Sequence, residues 1–246
     1  MKSLSRWLAV AVAVLALSAC ATTQQQANQD FRPPEGNYKL IVMRPDVMVS
    51  VLTAGGMLEE REDWTRQAEE NVMAALRAQQ AKRGGKATIA TTLEQAGGNP
   101  ELVRELDRLH EAVGRSIQMH KYNPALALPT KKNVFDWTLG EKAVEYGRAS
   151  GYDYALFLRA EDSFSSGGRV ALQAVSMLGC VVGVCIIPPG GQQIAFVSLV
   201  DLKTGQVAWF NFLVSGTGDI RTQEGADELV ESLLDDMKSG AALDKS

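Results

Sequence analysis

The chain has 246 residues, and its 29 acidic and 25 basic residues give a formal charge of −4 at neutral pH. Nucleic-acid binding is not expected, because it needs clustered Lys and Arg to neutralise phosphates. Two histidines and three cysteines without a Cys-x-x-Cys pair leave little material for a metal site, so neither a metal nor another cofactor is expected.

The first residues have the layout of a secretory signal peptide. Lys2 and Arg6 supply the positive start, and residues 7–17 form an apolar stretch of 11 residues. At about 1.5 Å per residue this stretch covers roughly 16 Å, about half of a hydrocarbon core of roughly 30 Å. We therefore expect residues 1–19 to be a signal peptide rather than a stable transmembrane helix. Its removal takes the formal charge from −4 to −6, because Lys2 and Arg6 are lost.

The signal ends in Leu17-Ser18-Ala19-Cys20, which resembles the lipobox of bacterial lipoproteins. The resemblance implies that Cys20 receives a diacylglyceryl group, becomes the new amino terminus and is usually N-acylated, for example with palmitate. Two or three acyl chains make a lasting anchor, whereas one binds only marginally. Ala21 stands where aspartate would favour inner-membrane retention in enteric-type bacteria, so the periplasmic face of the outer membrane is expected before the inner membrane. The alternative is an ordinary signal peptide that happens to carry a cysteine.

Residues 20–37 are predicted to be the lipidated cysteine and a flexible tether, because the segment from Ala21 to Asn37 is polar and contains Pro33-Pro34. As a coil it averages about 25 Å, so the folded part is expected to stand off its membrane. Residues 38–240 are predicted to form a single α/β periplasmic domain.

Strands and helices interleave along this domain. Short apolar runs predict strands at 38–43, 47–52, 86–91, 152–160, 194–202 and 206–214. Periodic apolar positions and cap signals predict helices at 62–82, from Asn99 to about His120, from the Thr138 capping box to Gly151, and at 222–238. The last two strands are joined at Lys203-Thr204-Gly205, a hairpin signal. The fold class is therefore α/β (α+β), a mixed sheet flanked by helices with a late antiparallel hairpin.

The stretch from Glu141 to Met237 resembles a known envelope architecture. A helix leads through Tyr152-Asp-Tyr154 into the strand ALFLRA, and IAFVSLVDLKTGQVAWF and an amphipathic helix follow. This order is similar to the curli secretion lipoprotein, to the lipoprotein activators of penicillin-binding proteins, and to the amino-terminal domain of the Tol system's periplasmic propeller protein. The resemblance implies an accessory or assembly protein rather than an enzyme, and it carries over no catalytic residues.

An apolar insertion at residues 170–189 interrupts this pattern, and within it Val170 to Ile187 has only Gln173 and Ser176 as polar residues. Four interpretations are open: a buried core element, a helix or hairpin that docks on lipid or on a partner, a pore-forming hairpin as in the curli relative, and a full membrane span. A full membrane span is disfavoured because it would put strands of one sheet in different compartments. A pore-forming hairpin is disfavoured because barrel strands alternate polar and apolar residues, whereas this run is apolar at both sets of alternate positions. The residues predicted to contact a membrane or a partner are Val170, Leu172, Val175, Met177, Leu178, Val181, Val182, Val184, Ile186 and Ile187.

Cys180 and Cys185 lie inside the insertion. On one continuous helix, residues five apart are about 140° apart and cannot pair. Across a tight turn at residues 181–184 they can form a disulfide in an oxidising periplasm. The alternative is two small buried thiols.

No catalytic site is predicted. His110-Glu111 and His120 do not make H-E-x-x-H, because the second histidine comes ten residues after the first. We expect a non-enzymatic, membrane-anchored adaptor or assembly factor of the cell envelope, with the membrane and either an envelope protein or a second copy as its partners. The alternatives are a subunit of an oligomeric outer-membrane secretion channel and a carrier of a small amphiphile.

Overall fold

A computed structural model describes residues 22–27, 38–83, 87–131, 134–181, 183, 186–235 and 237. The predictions for the signal peptide, Cys20, Val182, Val184 and Cys185 lie outside these residues, as does the prediction for the side chain of Val181.

In this part of the chain, eight strands form one mixed sheet. The strands are β1 (Thr22–Ala27), β2 (Leu40–Val42), β3 (Asp46–Leu52), β4 (Leu58–Glu60), β5 (Thr88–Ile89), β6 (Tyr154–Ser165), β7 (Gln193–Asp201) and β8 (Val207–Ser215). The helices are α1 (Glu62–Lys82), α2 (Leu93–Ala96), α3 (Pro100–Lys121), α4 (Glu141–Ser150), α5 (Gly167–Val181) and α6 (Gln223–Leu234), with 3₁₀ turns at Pro124–Leu126 and Pro129–Lys131.

Strand β6 is the centre of the sheet. One edge of β6 pairs with β7 in the antiparallel sense, and β8 and β1 continue the sheet in the order β1-β8-β7-β6. The other edge pairs in parallel with β2 along its first residues and with β3 along its last seven. Residues 155–160 of β6 are all buried, because helices cover the strand on both faces.

Two layers of helices enclose the sheet. Helices α1 and α6 pack on the face that carries Leu156 and Leu158, and α3 and α4 pack on the opposite face, which carries Ala155 and Phe157. The predicted fold class, a mixed sheet flanked by helices with a late antiparallel hairpin, is confirmed.

The prediction of a flexible tether is wrong for residues 22–27. These residues form β1, which pairs antiparallel with β8 in the register Thr22 to Val214 through Ala27 to Trp209. The physical reason is that β8 offers a row of backbone N–H and C=O groups, and a segment pairs with such a row through its own backbone even without apolar side chains. The tether prediction for residues 28–37 lies outside the described residues.

The predicted capping box at Thr138 is also wrong. Helix α4 begins after Gly140, which has φ +72° and makes no side-chain cap. The hydroxyl of Thr138 donates instead to the Gly205 carbonyl at 2.8 Å and accepts from the Gly140 N–H at 2.9 Å. Thr138 therefore fastens the start of α4 to the β7–β8 hairpin.

Candidate functional site

The apolar insertion emerges from one end of the sheet. At this end β6 stops at Ser165, β7 starts at Gln193, β8 stops at Ser215 and β1 starts at Thr22. Helix α5 begins at Gly167, directly after β6, and the chain returns from it into β7. We call this the α5 end of the sheet.

The polar side chains of α5 face the protein body. Arg169 is buried, and its guanidinium donates to the Pro189 carbonyl at 2.8 and 3.1 Å and to the Ala54 carbonyl at 3.3 Å. Gln173, one turn later on the same side of the helix, donates from Nε2 to the Pro188 carbonyl at 3.1 Å. The Ser166 hydroxyl accepts from the Arg169 N–H at 3.1 Å and so closes the first turn. These bonds fix the rotation of α5 about its axis.

The apolar side chains of α5 consequently face outward. Val175 is 66% exposed, Met177 60% and Leu178 69%, and Val170 and Leu172 are exposed as well. Ile186 and Ile187, which follow the helix, are also exposed. A buried core element is therefore the wrong interpretation of these residues. A surface helix normally turns its apolar side to the core, and α5 does the reverse.

Helix α5 ends near its predicted turn. Cys180 is disulfide-bonded. The Gly183 N–H bonds to the Cys180 carbonyl at 3.3 Å with φ +91°, a backbone angle that suits glycine. The pairing of Cys180 with Cys185 remains a prediction, because Cys185 lies outside the described residues. Across the described part of the chain, no helix is both long enough and apolar enough to cross a membrane.

A groove of about 320 Å³ opens beside α5 at the same end of the sheet. Its lining is mainly small and polar: Asp162, Ser163, Phe164, Ser165, Gly191, Gln192, Gln193, Gly216, Thr217, Gly218, Asp219 and Arg221. No sequence motif singles out residues 215–218 or Asp162 as part of a site. The alternation of side chains along β6 does offer a signal for the burial of Asp162, because Asp162 lies on the same face of the strand as the buried Leu158 and Ala160.

Asp162 is the buried acid of this groove, with 3% of its surface exposed. Its Oδ2 accepts from the Ile220 N–H at 3.2 Å and from Gln193 Nε2 at 3.3 Å. Burial outweighs these bonds and raises the pKa of Asp162 to about 7.

Arg221 closes the side of the groove. Its guanidinium carbon lies 3.5 Å from the centre of the Phe164 ring and 4.5 Å from that of Trp64. Asp219 pairs with the same guanidinium at 2.8 Å, and this pairing lowers the pKa of Asp219. The Arg221 guanidinium thus makes cation–π contacts with two aromatic rings at the side of the groove.

The histidines are not brought together. His110 is buried between Phe157 and Phe196, and its Nε2 lies 3.0 Å from the Ser198 hydroxyl. Burial lowers the pKa of His110 to about 3, so the ring is neutral. His120 Nδ1 instead bonds to the Leu126 carbonyl at 2.8 Å. Among the described residues no group of three or more His, Cys, Asp or Glu side chains is placed to hold a metal ion.

No protein-family model matches the chain, and no curated protein does either. Among solved structures, the PelC dodecamer from Paraburkholderia phytofirmans is 15% identical, with a TM-score of 0.40 over 90% of this chain and 96% of that one. A variant of the same dodecamer that carries one methionine substitution gives the same identity and TM-score. The LpoB C-terminal domain from Salmonella enterica is 18% identical, with a TM-score of 0.26 over 77% of this chain and 87% of that domain. At these TM-scores the likenesses support no conclusion about this chain.

Proposed function

We propose that this protein is a non-enzymatic adaptor or assembly factor of the bacterial cell envelope, lipidated on Cys20 and held at the periplasmic face of the outer membrane. The observation that carries the attachment to an envelope surface is the outward-facing apolar side of α5, exemplified by Val175 and Leu178. Contiguous exposed apolar surface marks a contact site, because leaving it in water costs free energy.

The anchor part of the proposal is supported by the lipobox-like sequence that ends at Cys20. It is tested by growing cells with labelled palmitate and comparing the wild type with Cys20→Ser. We expect label on the wild type and none on the variant, and separation of the two membranes should find the labelled protein in the outer one. Equal labelling of both proteins would refute the anchor.

The non-enzymatic part is supported by how the polar groups of the domain are used. The Nε2 atom of buried His110 is engaged by Ser198, and the Asp162 carboxylate is engaged by Ile220 and Gln193. A nucleophile needs a base within hydrogen-bond reach and an orienting third group. The Ser198 hydroxyl is buried, and the hydroxyls of Ser163 and Ser165 bond to the backbone of Gln192 and Gly191 instead of to Asp162.

The adaptor part requires a protein contact. Photo-cross-linking of the full chain in intact cells, from probes spread over the exposed surface, should give a discrete adduct that contains one other envelope protein. A ladder of self-adducts, with an oligomer of matching mass in detergent, would favour the secretion-channel subunit instead. Absence of any protein adduct from all probe positions would contradict the adaptor proposal.

A carrier of a small amphiphile is not favoured by the groove. Ser163, Ser165, Gln192 and Thr217 on its walls offer hydrogen bonds rather than the apolar lining that an acyl chain needs.

A further inference from the structure

We infer that α5 lies in the interface of the same membrane leaflet that holds the acyl chains of Cys20, so that the α5 end of the sheet faces the bilayer. The inference rests on the proposed lipid anchor. It adds the occupant of the apolar surface, which is lipid, and the orientation of the domain.

The first argument is the rotation of α5. Arg169 is the only charged residue of the helix, and it is buried with its guanidinium bound to main-chain carbonyls on both sides. The outward side therefore presents apolar atoms without an exposed charge. This is the distribution expected of a helix whose outer surroundings are acyl chains rather than water.

The second argument is that the apolar surface continues beyond α5. Met57, in the β3–β4 turn, is 68% exposed, and Leu58, the first residue of β4, is 58% exposed. The same turn carries Ala54, whose carbonyl accepts from Arg169, so the turn lies against the base of α5. Two chain segments that are distant in sequence thus place exposed apolar side chains side by side at this end of the sheet.

The third argument is where the amino-terminal strand begins. Thr22 pairs with Val214, Val214 with Ile194, and Ile194 with Glu161, so Thr22 lies at the α5 end of the sheet. Cys20 precedes Thr22 by two residues, which span at most about 7 Å. The three strand spacings between β1 and β6 amount to roughly 14 Å. Acyl chains on Cys20 would therefore enter the bilayer beside α5 and not at a distance from it.

The geometry favours a helix that lies along the surface. Fifteen residues rise roughly 22 Å, less than the roughly 30 Å of a hydrocarbon core. Both ends of α5 lead back to the same end of the sheet, since its start follows β6 and the chain after it enters β7. Because α5 itself presents no exposed charge, its binding should depend on apolar burial and hardly on salt.

The test uses the mature chain from Ala21, which contains every described residue and lacks the lipid, and vesicles of phosphatidylethanolamine and phosphatidylglycerol. We expect this chain to float with the vesicles. Val175→Asp/Leu178→Asp should reduce the bound fraction at least about tenfold, because charges replace two apolar side chains that would lie in the bilayer. Leu178→Asp alone is compared with Tyr38→Asp, an exposed residue packed on Tyr154 at the opposite end of the sheet, which should float like the unsubstituted chain.

Three outcomes would overturn the inference: no flotation of the unsubstituted chain, equal flotation of all variants, or loss of flotation in high salt or without phosphatidylglycerol. Thermal unfolding of each variant verifies that a loss of binding is not a loss of fold. Because Val175 and Leu178 are exposed, their replacement should leave the unfolding temperature unchanged.

A second readout uses the lipidated full chain in vesicles whose acyl chains carry bromine. Tryptophan fluorescence should be quenched in Leu178→Trp beyond the level of the unsubstituted chain, and Tyr38→Trp should show no added quenching. Equal quenching of the two variants would contradict the orientation. Failure of the anchor is read separately, because palmitate labelling of Cys20 does not depend on α5.

Discussion

Thr22 lies opposite Val214 in an antiparallel pair, although its surrounding sequence is polar and lacks the alternation of a strand. This pairing makes the first residues after Cys20 part of the sheet. Among the described strands β1 is terminal, so its outer side is an edge and its inner side is bonded to β8.

Proline substitutions test the β1–β8 pairing. In an antiparallel edge strand, alternate residues donate their N–H to the neighbour, and the others point it to solvent. Of Gln24→Pro and Gln25→Pro, one should therefore lower the free energy of unfolding clearly and the other only slightly, as measured by urea denaturation. Two equally harmless substitutions would mean that residues 22–27 behave as the tether that the sequence predicts.

Asp162 should make stability depend on pH. Its folded-state pKa of about 7 lies above the unfolded value of about 4, so its contribution to stability is complete below about pH 4 and is lost as the pH rises through 7. Asp162→Asn keeps an acceptor for the Ile220 N–H but cannot ionise. The variant should match or exceed the wild type at pH 8, and its relative gain should shrink by up to about 1.4 kcal/mol per pH unit toward pH 5.

Asp219 provides the control of opposite sign. Pairing with Arg221 lowers the pKa of Asp219, so its contribution is present above about pH 4 and is lost below its folded-state pKa. Asp219→Asn should therefore destabilise the protein at pH 8 and have little effect in strong acid. The same pH trend in both variants would show that groove burial is not the cause of the Asp162 effect.

Gly114 and Phe196 form a close contact between α3 and β7. A Cβ atom at position 114 would lie 2.1 Å from the Phe196 ring. Gly114→Ala should therefore destabilise the protein by about 1–3 kcal/mol, although alanine is the better helix former by about 1 kcal/mol. Phe196→Leu removes the ring that the new Cβ atom would meet. The loss of unfolding free energy in the double variant should therefore be smaller than the sum of the two single losses, as measured by urea denaturation. Simple additivity would show that the helix shifts without engaging Phe196.

Arg159 is a buried cation whose guanidinium pairs with Glu111 at 3.1 Å, with Glu161 at 2.7 Å and with Asp46. Arg159→Met leaves Asp46 without its cation, whereas Glu111 and Glu161 keep Arg115. The substitution should cost about 2 kcal/mol of unfolding free energy, less than the loss of a fully buried pair because the acids reach solvent. Arg159→Lys should recover part of this loss, since lysine restores the charge but not the planar fork. The control is Arg104→Met on an exposed pair with Glu101, expected to cost about 0.5 kcal/mol or less.

The sequence predicts helix bounds, helix caps and hairpin turns well, because each of these features is determined by neighbouring residues. Helix α1 has the predicted bounds, the Asn99 side chain caps α3 by accepting from the Glu101 N–H at 2.9 Å, and Gly205 takes φ +75° in the predicted hairpin. Each of these features depends on residues within a few positions of one another.

The features that were not predicted depend on distant chain segments. The outward side of α5 is set by Arg169, whose acceptor at Ala54 is 115 residues away. The burial of Asp162 depends on Ile220, 58 residues later. Strand β1 has no alternation of apolar and polar residues, and it forms by backbone pairing with the edge of β8. Composition could identify an apolar insertion, but only the tertiary structure decides which of its sides is turned to the solvent.

The position of β1 has a mechanical consequence. If Cys20 is fixed in a membrane, any tension between envelope and domain enters at Thr22 and runs along the axis of β1. The hydrogen bonds to β8 lie across that axis, so they resist the tension together in shear rather than opening one at a time. The first strand would then transmit force from the membrane into the whole sheet.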